Sequence, residues 1–81
     1  MTMEKLRLAV LDDANDFHFD YNGESCGLEL TAIDGVMTFE VWYGEFTKQY
    51  DDFDEMVDDK FFGNMSLREL VEQNLIEIDF A

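Results

Sequence analysis

Leu28-Glu29-Leu30-Thr31-Ala32-Ile33-Asp34-Gly35-Val36-Met37-Thr38-Phe39-Glu40-Val41-Trp42-Tyr43 reads as two strands folded about one turn. Leu28, Leu30 and Ala32 alternate with Glu29 and Thr31. Met37, Phe39, Val41 and Tyr43 alternate with Thr38, Glu40 and Trp42. A period of two is what a strand with one buried and one open face requires. Asp34-Gly35 between the runs is a tight-hairpin signal.

Working outward, Phe17, Phe19 and Tyr21 alternate with His18 and Asp20, which predicts an earlier strand. Asn22-Gly23 marks its turn, with Gly27 expected to close a somewhat longer loop. Downstream, Gly44-Glu45 turns into a fourth strand, Phe46-Thr47-Lys48-Gln49-Tyr50. Such a meander has to cover one face, and helices supply the cover. Asp52 and Glu55 resemble a capping box ahead of Phe53, Met56 and Val57. Ser66 and Glu69 form a full one, followed by Leu67, Leu70, Val71 and Leu75 at helical spacing. Phe61-Phe62-Gly63-Asn64 connects the two helices and tucks its aromatics beneath them, and Ile76 to Phe80 alternates as a fifth strand. At the N-terminus Met3, Leu6 and Val10 favour a helix over 3–14 behind a Thr2 cap, while Leu6-Arg7-Leu8 leaves a strand over 6–11 as the alternative. The expected fold is α+β: a small antiparallel four- to five-stranded meander with two or three short helices packed on one face. Residues 1–81 form a single acidic domain.

Twenty Asp and Glu face five Lys and Arg, a net charge of -15. Few cations are available to neutralise the carboxylates, so most must sit in water or meet a cationic partner. Direct binding to nucleic acid or to an anionic membrane is disfavoured. With 47% hydrophobic residues and eight Phe, the chain has the apolar area that acidic disordered tails lack. The single Cys26 permits no internal disulfide, and neither a signal-peptide h-region nor a membrane-length apolar run is present, so the expected compartment is cytoplasmic.

The residues that could form catalytic or metal motifs fail on spacing. A calcium loop opening at Asp20 puts Ser25 where glycine is needed and Thr31 where the bidentate Glu belongs. On a helix the acids of Asp51 to Asp59 spread around the exposed face and do not converge, so no metal and no cofactor is expected. His18 lies opposite the Phe17, Phe19, Tyr21 face as an exposed strand histidine near Asp16 and Asp20, with no second His or Cys in sequence for zinc. Cys26 has an acid, Glu24, for a neighbour in place of the cation that activates a thiol. A Cys26–His18 dyad needs the hairpin to juxtapose them, and no oxyanion motif accompanies it, so an enzyme is not expected.

The acidic surface remains. Scaling for 81 residues gives a radius of gyration of about 12 Å and a diameter of ~30 Å; duplex DNA of that length carries roughly 18 phosphates. Solubility needs a net charge of only about 2 to 8 in magnitude. The expectation is a non-catalytic acidic binding protein that occupies the basic surface of a nucleic-acid-binding protein or nuclease. Its contacts would come from Asp51, Asp52, Asp54, Glu55, Asp58 and Asp59, with Asp12, Asp13 and Asp16 as a second patch. Trp42, opposite the Met37–Tyr43 apolar face, is either half-covered by a cross-strand neighbour or an aromatic hot spot ringed by Glu40 and Glu29. The alternative function is a structural or oligomerising accessory protein, for instance a homodimer, joined through an apolar sheet face with the acids merely solvated.

Phe39-Glu40-Val41-Trp42-Tyr43-Gly44, Tyr50-Asp51-Asp52-Phe53-Asp54-Glu55-Met56, Lys60-Phe61-Phe62-Gly63 and Ser66-Leu67-Arg68-Glu69-Leu70 together resemble small uncharacterised proteins of Gram-positive bacteria, their phages and mobile elements. The resemblance spans about residues 16–80 and rests on turns and caps, so it implies no activity. By size and charge alone the chain is similar to phage DNA-mimic inhibitors of the anti-CRISPR type.

Overall fold

The computed structural model describes residues 1–80. Its chain order is α1 (Met3–Arg7), continued by a π-helical turn Leu8–Asp12, then β1 (Phe17–Tyr21), β2 (Glu24–Ile33), β3 (Val36–Tyr43), β4 (Phe46–Tyr50), α2 (Phe53–Asp58), α3 (Leu67–Glu72) and β5 (Asp79–Phe80). The five strands form one antiparallel sheet in the order β4-β3-β2-β1-β5. After β4 the chain crosses one face of the sheet through α2 and α3 before β5 returns beside β1. The helices therefore cover that face, and the α+β meander is the observed fold.

The hairpin turns set the register. Asn22-Gly23 and Asp34-Gly35 both hold positive φ at each central position, at 54° and 73° and at 53° and 79°. Two residues in that conformation match the right-handed twist of the flanking strands, a match that Asn, Asp and Gly make at low cost. The first turn is therefore only two residues long, and Gly27 is a strand residue paired with His18 and Trp42 instead of a loop residue. Phe17, Phe19, Cys26, Leu28, Phe39, Val41 and Tyr50 then point to the covered face. They bury there with Leu6, Val10, Phe53, Met56, Val57, Phe62, Leu67, Leu70, Val71 and Ile76. Phe62 sits between Phe19 and Tyr43, with ring centroids 5.5 and 6.0 Å away, so the loop aromatic does fill space beneath the helices.

At the N-terminus the helical alternative is the observed one. Thr2 Oγ1 accepts from Lys5 N, and Leu6 and Val10 are buried through the π-helical continuation. The helix ends at Asp12, two residues short of 14. Ser66 and Glu69 form the complete capping box; Asp52 caps α2 through Glu55 N without the reciprocal bond. Leu75 is not helical and is half exposed. Asn74 at φ 60° donates to the Val71 carbonyl and Leu75 N donates to Leu70, the paired bonds that close a helix C-terminus. Of the alternating tail, only Asp79 and Phe80 pair with β1.

Candidate acidic interface

The open face of the sheet follows from strand parity. The row Asp79–His18–Gly27–Trp42–Thr47 crosses all five strands, and Glu29, Glu40 and Gln49 form the next row. Asp20 and Ser25 flank the first row on its other side. Trp42 lies at the centre, half-buried, because its indole covers Gly27. A Cβ on Gly27 would come within 2.5 Å of both the indole Cζ2 and the Phe17 carbonyl oxygen, so only glycine fits beneath the ring. The indole N–H donates to Ser25 Oγ at 3.4 Å. Beside the ring is a shallow hollow of about 330 Å³ whose rim includes Asp16, His18, Ser25 and Glu29. This is the half-covered tryptophan.

Charge is distributed unevenly over the two faces. None of the five Lys and Arg falls on an open-face strand position. Lys5 and Arg7 are on α1, Arg68 is on α3, and Lys60 lies between α2 and α3. Lys48, on the outer strand β4, reaches towards α2. Four of them are paired with carboxylates: Arg7 with Asp54, Lys48 with Asp59, Lys60 with Glu69 and Arg68 with Asp58. Three of those four carboxylates belong to the Asp51–Asp59 run. Exposed ion pairs of this kind contribute little to stability, but they cancel charge where it would otherwise project.

The acids picked out from sequence therefore divide by environment. Asp54 and Asp58 are ion-paired. Asp59 accepts from Lys48 Nζ at 2.7 Å and from the Tyr50 hydroxyl at 2.5 Å. The Arg68 guanidinium holds the Asp58 carboxyl below its ordinary value, and Lys48 then Tyr50 do the same for Asp59. Burial pushes the Tyr50 phenol up, and the Asp59 carboxylate adds to that. Asp52 is committed to its cap, while Asp51 and Glu55 are exposed without an ion pair among the described residues. Asp12 and Asp13 are exposed at the end of the π-helical turn. Asp16 is half-buried and accepts from the Leu30 amide at 2.9 Å, capping β2 where its pairing with β1 stops. The run is thus partly neutralised, and the carboxylates next to Trp42 without a Lys or Arg partner are Glu29 and Glu40, with Asp20 further along the face and Asp79 beside His18. Strand parity counted from Trp42, combined with the absence of Lys and Arg at the same parity, was the signal that leads to these residues.

Cys26 and His18 are on opposite faces of the sheet. Cys26 pairs with Phe19 on the covered side, whereas His18 is exposed with its Nε2 3.6 Å from Asp79. Burial, with smaller contributions from Asp20 and Glu24, pushes the Cys26 thiol up to about 11, so little thiolate forms near neutrality. Among the described residues no group of three or more His, Cys, Asp or Glu is arranged to hold a metal ion, and no helix is long and apolar enough to cross a membrane. No protein-family model matches the chain, and no curated protein and no solved structure is significantly similar to it.

Proposed function

We propose that the chain is a non-catalytic acidic binding protein whose carboxylates occupy the basic surface of a nucleic-acid-handling protein, in the positions phosphates otherwise take. One observation carries this reading: the cations are gathered on the helix side and mostly paired there, leaving an open sheet face with carboxylates and no Lys or Arg. A face of one sign steers a cationic partner and suppresses anionic competitors. Trp42 with Glu29 and Asp16 beside it offers a partner's arginine a stacking ring and charge-assisted hydrogen bonds. Asp12, Asp13, Asp51 and Glu55 extend the field from the margins. In biological terms the reading is a phage or mobile-element inhibitor of the anti-CRISPR type, acting in the cytoplasm by competition for the nucleic-acid site.

The test is a pull-down from cell lysate with tagged protein, washed in steps of rising salt. Capture of a nucleic-acid-binding protein that elutes at moderate salt, and is lost with Glu29→Gln/Glu40→Gln, is the expected result. Undiminished capture by that variant would contradict the assignment of the face. Self-association is the alternative, favoured by the outer edge of β4, which is unpaired and carries Phe46 at 70% exposure. It predicts a dimer that persists at high salt, read by sedimentation.

A further inference from the structure

The β2–β3 hairpin extends beyond the rest of the sheet. β1 pairs with β2 only as far as Leu28, and β4 pairs with β3 only from Phe39. Past those points the pairs Thr31–Thr38, Ala32–Met37 and Ile33–Val36 form a two-stranded ribbon with no strand on either side. At about 3.3 Å per residue it projects roughly 10 Å. Its last pair is apolar: Ile33 is 63% and Val36 57% exposed. Both side chains share the open face with Trp42, Glu29 and Glu40, since Ile33 and Glu29, and Val36 and Glu40, have the same strand parity.

Aliphatic side chains at that position leave more than half of their surface in water. Threonine would serve the ribbon as well, as the Thr31–Thr38 pair two residues back on the same face shows, because β-branching stabilises the strands whatever the terminal group. The turn is a tight two-residue one, with Asp34 and Gly35 both at positive φ, which suits the twist of the two strands. Charge selects the occupant. Asp34 stands at the turn, Glu29 and Glu40 lie four residues back on the same face, and no Lys or Arg falls between them. A second copy of this chain, with the same net charge of -15, an anionic bilayer and a nucleic acid are all repelled.

We infer that the Ile33–Val36 tip of the β2–β3 ribbon is the apolar anchor of the interface, inserting into an apolar recess rimmed by Lys and Arg on the cationic partner. The inference rests on the acidic-face reading above and adds to it the salt-insensitive part of the affinity. Carboxylates set the approach and register; the buried tip slows dissociation.

Photo-crosslinking tests it in lysate, with p-benzoylphenylalanine at position 36 or, separately, at position 40, and a 30-base-pair duplex DNA as competitor. The expected result is the same Lys- and Arg-rich protein crosslinked from both positions, with both crosslinks lost when the duplex is added. A crosslink from 40 alone overturns the anchor and leaves the acidic face standing. Crosslinks to the chain itself, to a non-basic protein, or from neither position overturn both. With the crosslinked protein purified, Ile33→Thr/Val36→Thr, which keeps β-branching and the fold, should weaken binding at least tenfold with the salt dependence unchanged. Glu29→Gln/Glu40→Gln should instead flatten the salt dependence. Wild-type affinity in the threonine variant would remove the anchor.

Discussion

Gly27 is the residue on which the open face depends. It lies beneath the indole of Trp42, and its pro-side-chain direction is filled by that ring and by the Phe17 carbonyl. Gly27→Ala should destabilise the fold by about 1–3 kcal/mol, the usual range for overpacking. It should also lift the indole into water, shifting the emission of the only tryptophan to longer wavelength. An unchanged melting temperature with unchanged emission would mean that Trp42 does not rest on Gly27. This pairing was only half legible in the sequence. Alternation put Trp42 opposite the apolar residues, but placing Gly27 in a loop hid its partner. The same two-residue Asn22-Gly23 turn sets the Phe19–Cys26 pair and sends His18 to the other face, which separates the two side chains a dyad would need.

Among the elements, α3 is held at both ends by bonds its sequence specifies unequally well. The Ser66–Glu69 box is a spacing signal and was readable in advance. The stop at Asn74 was not, because an asparagine takes the left-handed conformation only where the chain beyond it turns away. Lys60 adds a tertiary contact to the box. Its ammonium, together with the Ser66 amide, lowers Glu69 from the ordinary 4.5 to about 2. Since the folded value lies below the unfolded one, this contribution is complete above about pH 4.5 and fades as pH falls towards 2. Asp58 and Asp59, lowered by Arg68 and Lys48, lose theirs in the same direction. Since these pairs are exposed and screened, thermal melts should show only a small loss of stability from them on the acid side of pH 4.5, reduced further in Glu69→Gln; an identical acid limb in that variant would contradict the assignment. Removing the cap itself, Ser66→Ala, should cost about 1 kcal/mol at neutral pH.

For the whole molecule, composition announces the charge but gives it no direction. The four strands β1 to β4 were legible because period-two runs and turns such as Asn-Gly and Asp-Gly act locally, whereas β5 joins by a crossing and pairs through two residues only. Which carboxylates are neutralised depends on contacts between residues far apart in sequence, such as Arg7 with Asp54, 47 positions away. That is why the Asp51–Asp59 run looked dominant in sequence and is partly neutralised in the fold. The molecule measures 35 × 26 × 22 Å with a radius of gyration of 11.7 Å, close to the size expected from its length. Along 35 Å a duplex carries about 20 phosphates, a charge comparable to the net -15 here. Competition tests that equivalence most directly. The partner captured in low salt would be titrated with duplex DNA labelled for anisotropy, in the absence and presence of this protein. Mutual exclusion is expected, with the apparent DNA affinity falling in proportion to added protein and restored by Glu29→Gln/Glu40→Gln. A ternary complex, in which the partner holds both the duplex and this chain, would contradict occupation of the phosphate-binding surface.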